Sequence, residues 1–372
     1  MKKKILIITT IKAPYRMDLF EELGNFFDLT VFFEQKNEIT RNEKWMSSEI
    51  INFTSIYSKK WDKSLAIPKI DLIKLLKMNT FDLVIFYEYS TPTALLGMQY
   101  CIVKRIPYLI NNDGAFLKRD FIFKYLLKKH FVTNANGLLA NGNSAVHYYL
   151  YYGAKIEQVN LHHFTSLKDA DYEKKEMEKS GLLKKKLSIP KDANVYITVG
   201  RFIELKRIDF LINLWRKLPD NYILYIIGEG KLKKYYTDLI NKYDLVNVKI
   251  IDFLSKEELF EYYEVSNALL FPSNNEVWGL VVQEALSRGV PVIGTVKSNA
   301  ISEMIKNNEN GFICRLDEDE WLSKIKYLEG NNLLKTKIEK DNLLSGKKYT
   351  VEYQVIEIKN FIELIIKSTG AL

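Results

Sequence analysis

Two successive trains of short apolar runs, spaced by stretches long enough for a helix, constrain this chain more than any other feature of its sequence. The first train lies at 5–9, 29–33, 83–87, 107–110 and 138–140; the second lies at 195–199, 223–227, 248–251, 268–271, 290–293 and 311–314. Continuous rather than alternating apolar runs mark strands buried on both faces, and helix-length connections dictate parallel pairing. Each train therefore specifies an open α/β sheet covered by helices. At 372 residues the chain exceeds one ordinary core and fits two domains. Residues 167–191, rich in Lys, Glu and Asp and ending at Ser188-Ile189-Pro190, have the composition of a connection with a surface helix. The expected domains are Rossmann-like units over 1–170 and 188–350, with a final helical stretch near 351–372 able to cross back to the first. Ligands of such sheets bind outside the strand carboxyl ends. If the two edges face each other, the cleft between them is the expected active site.

The net charge of +8 raises the question of a nucleic-acid partner. The 54 basic residues are spread along the chain and answered by 46 acidic ones, whereas nucleic-acid binders concentrate charge in a patch or arm, so none is expected. The densest basic and apolar mixture is 116–131, where Lys118, Arg119, Lys124, Lys128 and Lys129 alternate with Phe121, Ile122, Tyr125, Leu126 and Leu127. Two readings fit it: a helix lying on an anionic membrane surface, or a core-facing helix with a solvated basic face. The start, Met1-Lys2-Lys3-Lys4, leads into a short apolar run without a small-residue cleavage site, which reads as a first strand rather than a signal peptide. No apolar stretch is long enough to span a bilayer. Cys101 and Cys314, far apart and each in an apolar segment, read as buried free thiols of a reducing cytosol. A cytoplasmic protein, with the inner membrane face as a candidate partner, is expected. The four histidines have no ligand-like spacing with cysteines, so no structural zinc is expected.

Chemistry concentrates in the second train. The strand at 195–199 runs into Gly200-Arg201-Phe202-Ile203-Glu204-Leu205-Lys206-Arg207 and then an amphipathic stretch, 209–215. Arg201 offers a planar fork and Lys206 a compact point charge, a pair suited to a diphosphate. The strand at 268–271 opens into a polar loop, 272–278, and a helix starting near Gly279. The free N–H groups of that helix mouth favour phosphate or sugar oxygens. Glu276 precedes the helix and Glu284 follows about two turns later, so both carboxylates can reach one groove and accept from vicinal hydroxyls.

These pieces, in this order, resemble the retaining glycosyltransferases of family 4, which have the GT-B fold of two Rossmann-like domains facing across a central cleft. The resemblance is carried by Gly200-Arg201 with Lys206, the turn Ile227-Gly228-Glu229-Gly230, Asp252-Phe253-Leu254, Phe271-Pro272-Ser273, Glu276 with Glu284, and Arg288-Gly289-Val290-Pro291-Val292-Ile293. It runs over 195–313 with specific motifs and more loosely over the first half. It implies that Arg201 and Lys206, with Gly200 at the strand end, hold the donor diphosphate, and that Glu284 binds the ribose. Glu276 would contact the transferred sugar beside the backbone amides of Trp278, Gly279 and Leu280, and Asp252, Phe253 and Leu254 would lie against the nucleobase. It further implies transfer with retention, no metal and no cofactor, the nucleotide sugar being a co-substrate. The partners are then a nucleotide-sugar donor, UDP-linked in the first instance or GDP-linked, and a glycan or lipid-linked acceptor held by the first domain. Cell-surface glycan biosynthesis is the implied setting.

The chain departs from the family pattern in two places. The first loop, Thr9-Thr10-Ile11-Lys12-Ala13-Pro14-Tyr15-Arg16, has no glycine, and a common Gly-Gly pair reads Ser298-Asn299. In the first train, Asp113 follows the strand at 107–110 in Asn111-Asn112-Asp113-Gly114 and resembles first-domain residues that touch sugar in relatives; a plain Asp-Gly turn is the alternative. Tyr87-Glu88-Tyr89 reads either as a sugar-stacking element or as packing. His162-His163 carries no assigned role, and Asp169/Asp171 and Asp317/Asp319 are not read as metal motifs. A sugar-nucleotide epimerase or hydrolase on the same fold, and a catalytically degenerate scaffold subunit, are the rival functions.

Overall fold

The computed structural model describes residues 1–35, 50–58, 67–117, 119–172 and 179–370. By its internal contacts the chain divides into one unit of Met1–Ser166 with Tyr349–Leu372 and another of Leu167–Lys348. Both are Rossmann-like α/β units built on parallel sheets.

The first unit contains β1 (Lys4–Thr9), α1 (Pro14–Gly24), β2 (Asp28–Phe33), β3 (Thr54–Tyr57), α2 (Ile70–Met78), β4 (Leu83–Phe86), α3 (Pro92–Lys104), β5 (Tyr108–Asn112), α4 (Ile122–Asn134), β6 (Gly137–Asn141), α5 (Gly142–Tyr151) and β7 (Val159–His162). Its strands run in the order β3-β2-β1-β4-β5-β6-β7 with parallel neighbours. Alternate residues of β1 feed two cores. Ile5 and Ile7 pack among Leu19, Phe20 and Leu23 of α1, while Leu6 and Ile8 join Leu72 and Leu76 of α2 with Met98 and Cys101 of α3. Burial of both faces is what the continuous apolar run requires.

The second unit contains α6 (Lys179–Lys186), β8 (Asn194–Val199), α7 (Ile208–Trp215), β9 (Tyr222–Ile227), α8 (Lys233–Lys242), β10 (Val248–Ile251), α9 (Lys256–Glu264), β11 (Ala268–Phe271), α10 (Leu280–Ser287), β12 (Val292–Thr295), α11 (Asn299–Met304), β13 (Gly311–Cys314), α12 (Glu318–Glu329) and α13 (Asn332–Gly346). The order β10-β9-β8-β11-β12-β13 is again parallel. Its core is heavily aromatic, with Trp215, Trp321 and Tyr236 buried among the apolar residues of α7, β9 and β13.

The last helix, α14 (Val351–Ser368), belongs to the first unit. Val355, Ile358 and Ile362 fill the core beside α1. A buried polar chain also fixes it: Gln354 Nε2 donates to His162 Nδ1 (3.0 Å), and His162 Nε2 donates to Asn111 Oδ1 (3.0 Å). Burial pushes the His162 imidazole down to about 4, so the ring is neutral and bridges rather than titrates near pH 7.

All eleven expected runs are strands or overlap one. Two strands were not foreseen, β3 and β7, which lie at the two edges of the first sheet and are short and partly polar. β12 starts at Val292 rather than residue 290, because the Val290 N–H donates to Ala285 O (2.9 Å) at the end of α10 and Pro291 has no N–H to give. Both cysteines are free and buried. Among the described residues no helix is long and apolar enough to cross a membrane.

One glycine holds the second unit's strand ends in register. Gly228 follows β9 with φ +140°, and a Cβ there would lie 2.1 Å from Gly200 O. Gly228→Ala is expected to cost at least about 2 kcal/mol, as strain at a special backbone position does. Gly181→Ala, inside α6 with nothing within 4 Å of its added methyl, serves as the control that should lose no stability. Parallel urea melts would check this, and equal midpoints for the two variants would remove Gly228 from this role.

Candidate functional site

In each unit the strand order reverses beside its first strand, at β1/β4 and at β8/β11. The loops leaving such a pair diverge to opposite sides of the sheet and open a crevice at the carboxyl edge. In both units a cation from one loop is bonded to a carboxylate from the other across that point.

In the second unit the cation is Lys206, in the one-turn helix Glu204–Lys206 after β8. Its Nζ lies 2.6 Å from Glu276 Oε2, in the loop after β11. Both side chains are largely buried, and the ammonium sits 5.0 Å from the Phe271 ring centroid, within cation–π range. The two loops are also tied by backbone, Asn274 N donating to Leu205 O (2.8 Å). Gly200 follows β8 with its N–H on Ile227 O (3.0 Å). Arg201 comes next, exposed and without an ion-pair partner among the described residues.

The Glu276 loop owes its shape to the pair read as a departure. Ser298 Oγ donates to Trp278 O (2.8 Å) and Asn299 Nδ2 to Val277 O (2.7 Å). Glu276 N donates to Lys297 O (2.9 Å), and Asn299 N returns to Glu276 O (3.2 Å). A Gly-Gly pair would supply none of the side-chain bonds. Trp278 is buried, while Gly279 and Leu280 are half-buried at the α10 start. Gly279 is the N-cap with φ +106°, and a Cβ there would meet Phe271 Cζ at 2.9 Å, so the helix mouth can approach β11 this closely only with glycine.

Glu284 lies within α10 and uses other partners. Tyr263 Oη donates to its Oε2 (3.2 Å). Burial raises its carboxyl to about 7, against the opposing pulls of Tyr263 and Lys256, with Asp171 adding to the rise. Hydrogen bonding thus gives Glu276 and Glu284 separate partners, although one loop and helix carry both. Asp252, Phe253 and Leu254 occupy the loop after β10; Asp252 pairs with Lys233, and Phe253 is exposed.

In the first unit the cation is Arg16, in the first turn of α1. Nη1 donates to Thr9 Oγ1 (2.6 Å) and to Glu88 Oε1 (2.7 Å), and Nη2 pairs with Asp113. Burial works against this charge, but Asp113 and Glu88 outweigh it and hold the guanidinium protonated. Asp113 also accepts from Asn111 Nδ2 (2.7 Å), so both its oxygens are engaged. Glu88, after β4, has its carboxyl raised by burial, with Arg16 pulling the other way. The sequence named Asp113 and Glu88 but missed Arg16 as their common partner. An arginine and two carboxylates on loops of three strands was the available signal, and adjacency of β1, β4 and β5 was the missing fact.

The remaining candidates make structural contacts. Tyr87 is buried edge-on against Phe20, and Tyr89 bonds to Tyr148. Asp317 caps α12 by accepting from Glu320 N (2.9 Å), Asp319 and Asp171 pair with Lys217 and Lys256, and Asp169 lies with Asp171 in a one-turn helix. Among the described residues no group of three or more His, Cys, Asp or Glu could hold a metal ion. Within 116–131, Phe131 is buried and Tyr125 packs half-buried against the same core, while Phe121, Ile122, Phe123, Leu126 and Leu127 are exposed; Lys118 lies outside the described residues.

The chain is similar to known glycosyltransferases over part of its sequence and in its fold. Residues 180–342 match the family model described as glycosyl transferases group 1. The chain is 26% identical over 171 residues to an uncharacterized glycosyltransferase of Haemophilus influenzae, covering 45% of this chain and 48% of that one. It is 27% identical over 158 residues to the lipopolysaccharide core biosynthesis glycosyltransferase LpsE of Rhizobium meliloti, covering 41% and 44%. The match thus spans less than half the length of both relatives. Anabaena HepE, crystallised with UDP, superposes with a TM-score of 0.77 at 15% identity over 99% of this chain and 100% of that one. At that identity the likeness establishes the fold, the two-unit α/β architecture of GT-B glycosyltransferases.

The raised Glu284 carboxyl has a stability consequence. Between about pH 4.5 and 7 an unfolded chain would ionise this group while the folded one keeps its proton, so folding stability falls as pH rises through that window. Glu284→Gln has no such proton to lose. Its melting temperature relative to the parent is expected to be several degrees higher at pH 8 than at pH 4.5, measured by thermal scans in matched buffers. A difference that does not change with pH would count against a buried carboxyl there.

Proposed function

We propose that this chain transfers a sugar, with retention of anomeric configuration, from a nucleotide-sugar donor held by the second unit to a glycan or lipid-linked acceptor. UDP is the favoured nucleotide and GDP the alternative. The observation that carries the reading is the Lys206–Glu276 pair at the β8/β11 switch point, beside a helix mouth opened by Gly279. The match of 180–342 to glycosyl transferases group 1 covers these residues, and the UDP complex of a protein of the same fold supports the choice of nucleotide. A role in cell-surface glycan assembly draws on the likeness to LpsE.

In this proposal Lys206 and the exposed fork of Arg201 take the diphosphate. As the bond from sugar C1 to the diphosphate lengthens, negative charge grows on the leaving oxygens, where a preorganised cation and the N–H groups of α10 stabilise it. That neutralisation comes from side chains, so no metal is called for. Glu276, released from Lys206 by the incoming phosphates, accepts from hydroxyls of the transferred sugar. Glu284 accepts from the ribose, and exposed Phe253, with Asp252 and Leu254, offers a face to the base.

Lys206→Ala is expected to lower kcat on the order of 10² or more, the usual loss for one preorganised charge partner. The variant should stay folded at the assay temperature, with a lowered melting temperature because Glu276 loses its partner, and chelator should leave the parent rate untouched. UDP-, GDP- and ADP-sugars screened by thermal shift identify the donor, a ligand at 100 times its Kd adding roughly 2.7 kcal/mol. Near-parental turnover by Lys206→Ala, or no stabilisation by any donor, would overturn the assignment.

We also place the chain at the inner face of a membrane. Phe121 and Phe123 are 80% and 77% exposed, Leu117, Ile122, Leu126 and Leu127 are exposed with them, and Arg119, Lys124 and Lys129 stand among them. An apolar row flanked by cations fits an anionic lipid surface. Flotation with vesicles containing phosphatidylglycerol should carry the protein, pure phosphatidylcholine should not, and Phe121→Ser with Phe123→Ser should abolish the effect. Equal recovery with and without anionic lipid would sink this placement.

A further inference from the structure

The polar centre of the first unit says more about the acceptor than its location. Arg16 is the cation an anionic ligand would seek, yet its side chain is only 6% exposed. Nη1 is spent on Thr9 and Glu88, and Nη2 on Asp113. What this cluster turns outward is carboxylate: the Glu88 and Asp113 side chains are 29% and 27% exposed. One guanidinium facing two carboxylates leaves a formal negative charge at the carboxyl edge of β1, β4 and β5. Glu34, at the end of β2, adds a third carboxyl near Glu88, bonded by Thr91 Oγ1 (2.7 Å).

A second observation points to a ligand at the same edge. Among the described residues Arg16 Nε, Glu34 Oε2, Tyr87 Oη and Asn112 Nδ2 are buried without a hydrogen-bond partner, and each belongs to a residue more than nine-tenths buried. They lie on the loops or ends of β1, β2, β4 and β5, and Arg16 stacks 5.4 Å from the Tyr87 ring. Such concentrations are uncommon in a folded chain, where nearly all buried polar groups are paired. The set holds donors and acceptors together, which suits a molecule whose hydroxyls can do either.

We propose that Glu88 is a specificity-determining residue that admits an uncharged, polyhydroxylated sugar as the acceptor end and turns away a uronic acid or phosphorylated sugar, with Arg16 as the positioning residue that aims Glu88 and Asp113. This rests on the transferase reading above and names the acceptor class for it. A neutral hydroxyl donates to an outward carboxylate oxygen at little cost. A ligand carboxylate or phosphate there meets like charge in a poorly solvated site, where the Arg16 guanidinium is enclosed by its own partners. The fork geometry matters as much as the charge. Lysine at position 16 would keep the charge but could not bridge Thr9, Glu88 and Asp113 at once.

The test uses the full chain with UDP, titrated calorimetrically with p-nitrophenyl glucoside, galactoside, N-acetylglucosaminide and glucuronide. At least one neutral glycoside should bind ten times or more tighter than the glucuronide. Glu88→Gln should narrow that ratio by strengthening glucuronide binding. Arg16→Lys should lose neutral-glycoside affinity at least tenfold while keeping the thermal shift given by UDP, a result that general unfolding would not produce. Glucuronide binding as tight as the neutral glycosides, an unchanged ratio in Glu88→Gln, or no glycoside bound at all would each overturn the proposal. A failed transferase reading would register separately, as no stabilisation by any nucleotide sugar.

Discussion

An ion pair across a topological switch point is the interaction around which each half of this protein is arranged. Parallel strands whose order reverses send their loops to opposite sides, so the carboxyl edge is open at one place in each sheet. At that place Lys206 meets Glu276 in the second unit, and Arg16 meets Glu88 and Asp113 in the first. Open loops bearing like charges would splay; opposite charges draw them together and leave them poised. Because these side chains are partly withdrawn from water, each charge depends on its partner, and breaking one pair strands the other member.

The two centres differ in what they leave available. In the second unit the cationic side stays accessible: Arg201 is exposed and unpaired among the described residues, and α10 adds the positive end of its dipole. In the first unit the guanidinium is enclosed and the carboxylates look outward. One architecture thus presents an accessible cation at one edge and outward carboxylates at the other, and the difference lies in how deeply each cation is set. Supporting contacts keep those depths fixed. Ser298 and Asn299 stitch down the Glu276 loop, Phe271 underlies Lys206, and the neutral His162 links Asn111 to Gln354 on the final helix.

Much of the scaffold was legible in the residues. Doubly buried strands must be apolar throughout, so the central strands announced themselves, whereas β3 and β7, at the sheet edges with partly polar sequences, did not. The Gly200–Lys206 loop and the Glu276–Gly279 mouth were legible because each follows a clear strand. Arg16 was not, because an arginine at a helix start reads as solvated surface until two carboxylates are known to converge on it. Ser298 and Asn299 looked like a loss relative to a glycine pair, and only their side-chain bonds reveal a clamp. The helix around Phe121 carried two readings, and its burial leaves support for both: Tyr125, Phe131 and Val132 face the core, while Phe121, Ile122, Leu126 and Leu127 stay outside.

The sequence by itself determined two parallel sheets, the central strands of each, and the chemical groups delivered to their carboxyl ends, since periodicity and turn residues act over short distances along the chain. Only the tertiary structure decided which strands are neighbours, and with that which cation meets which carboxylate. It also decided that the last helix closes the first unit's core. Those outcomes depend on separations of 70 residues between Lys206 and Glu276 and of 192 between His162 and Gln354. Local preference carries no information over such distances, and burial of a shared core does.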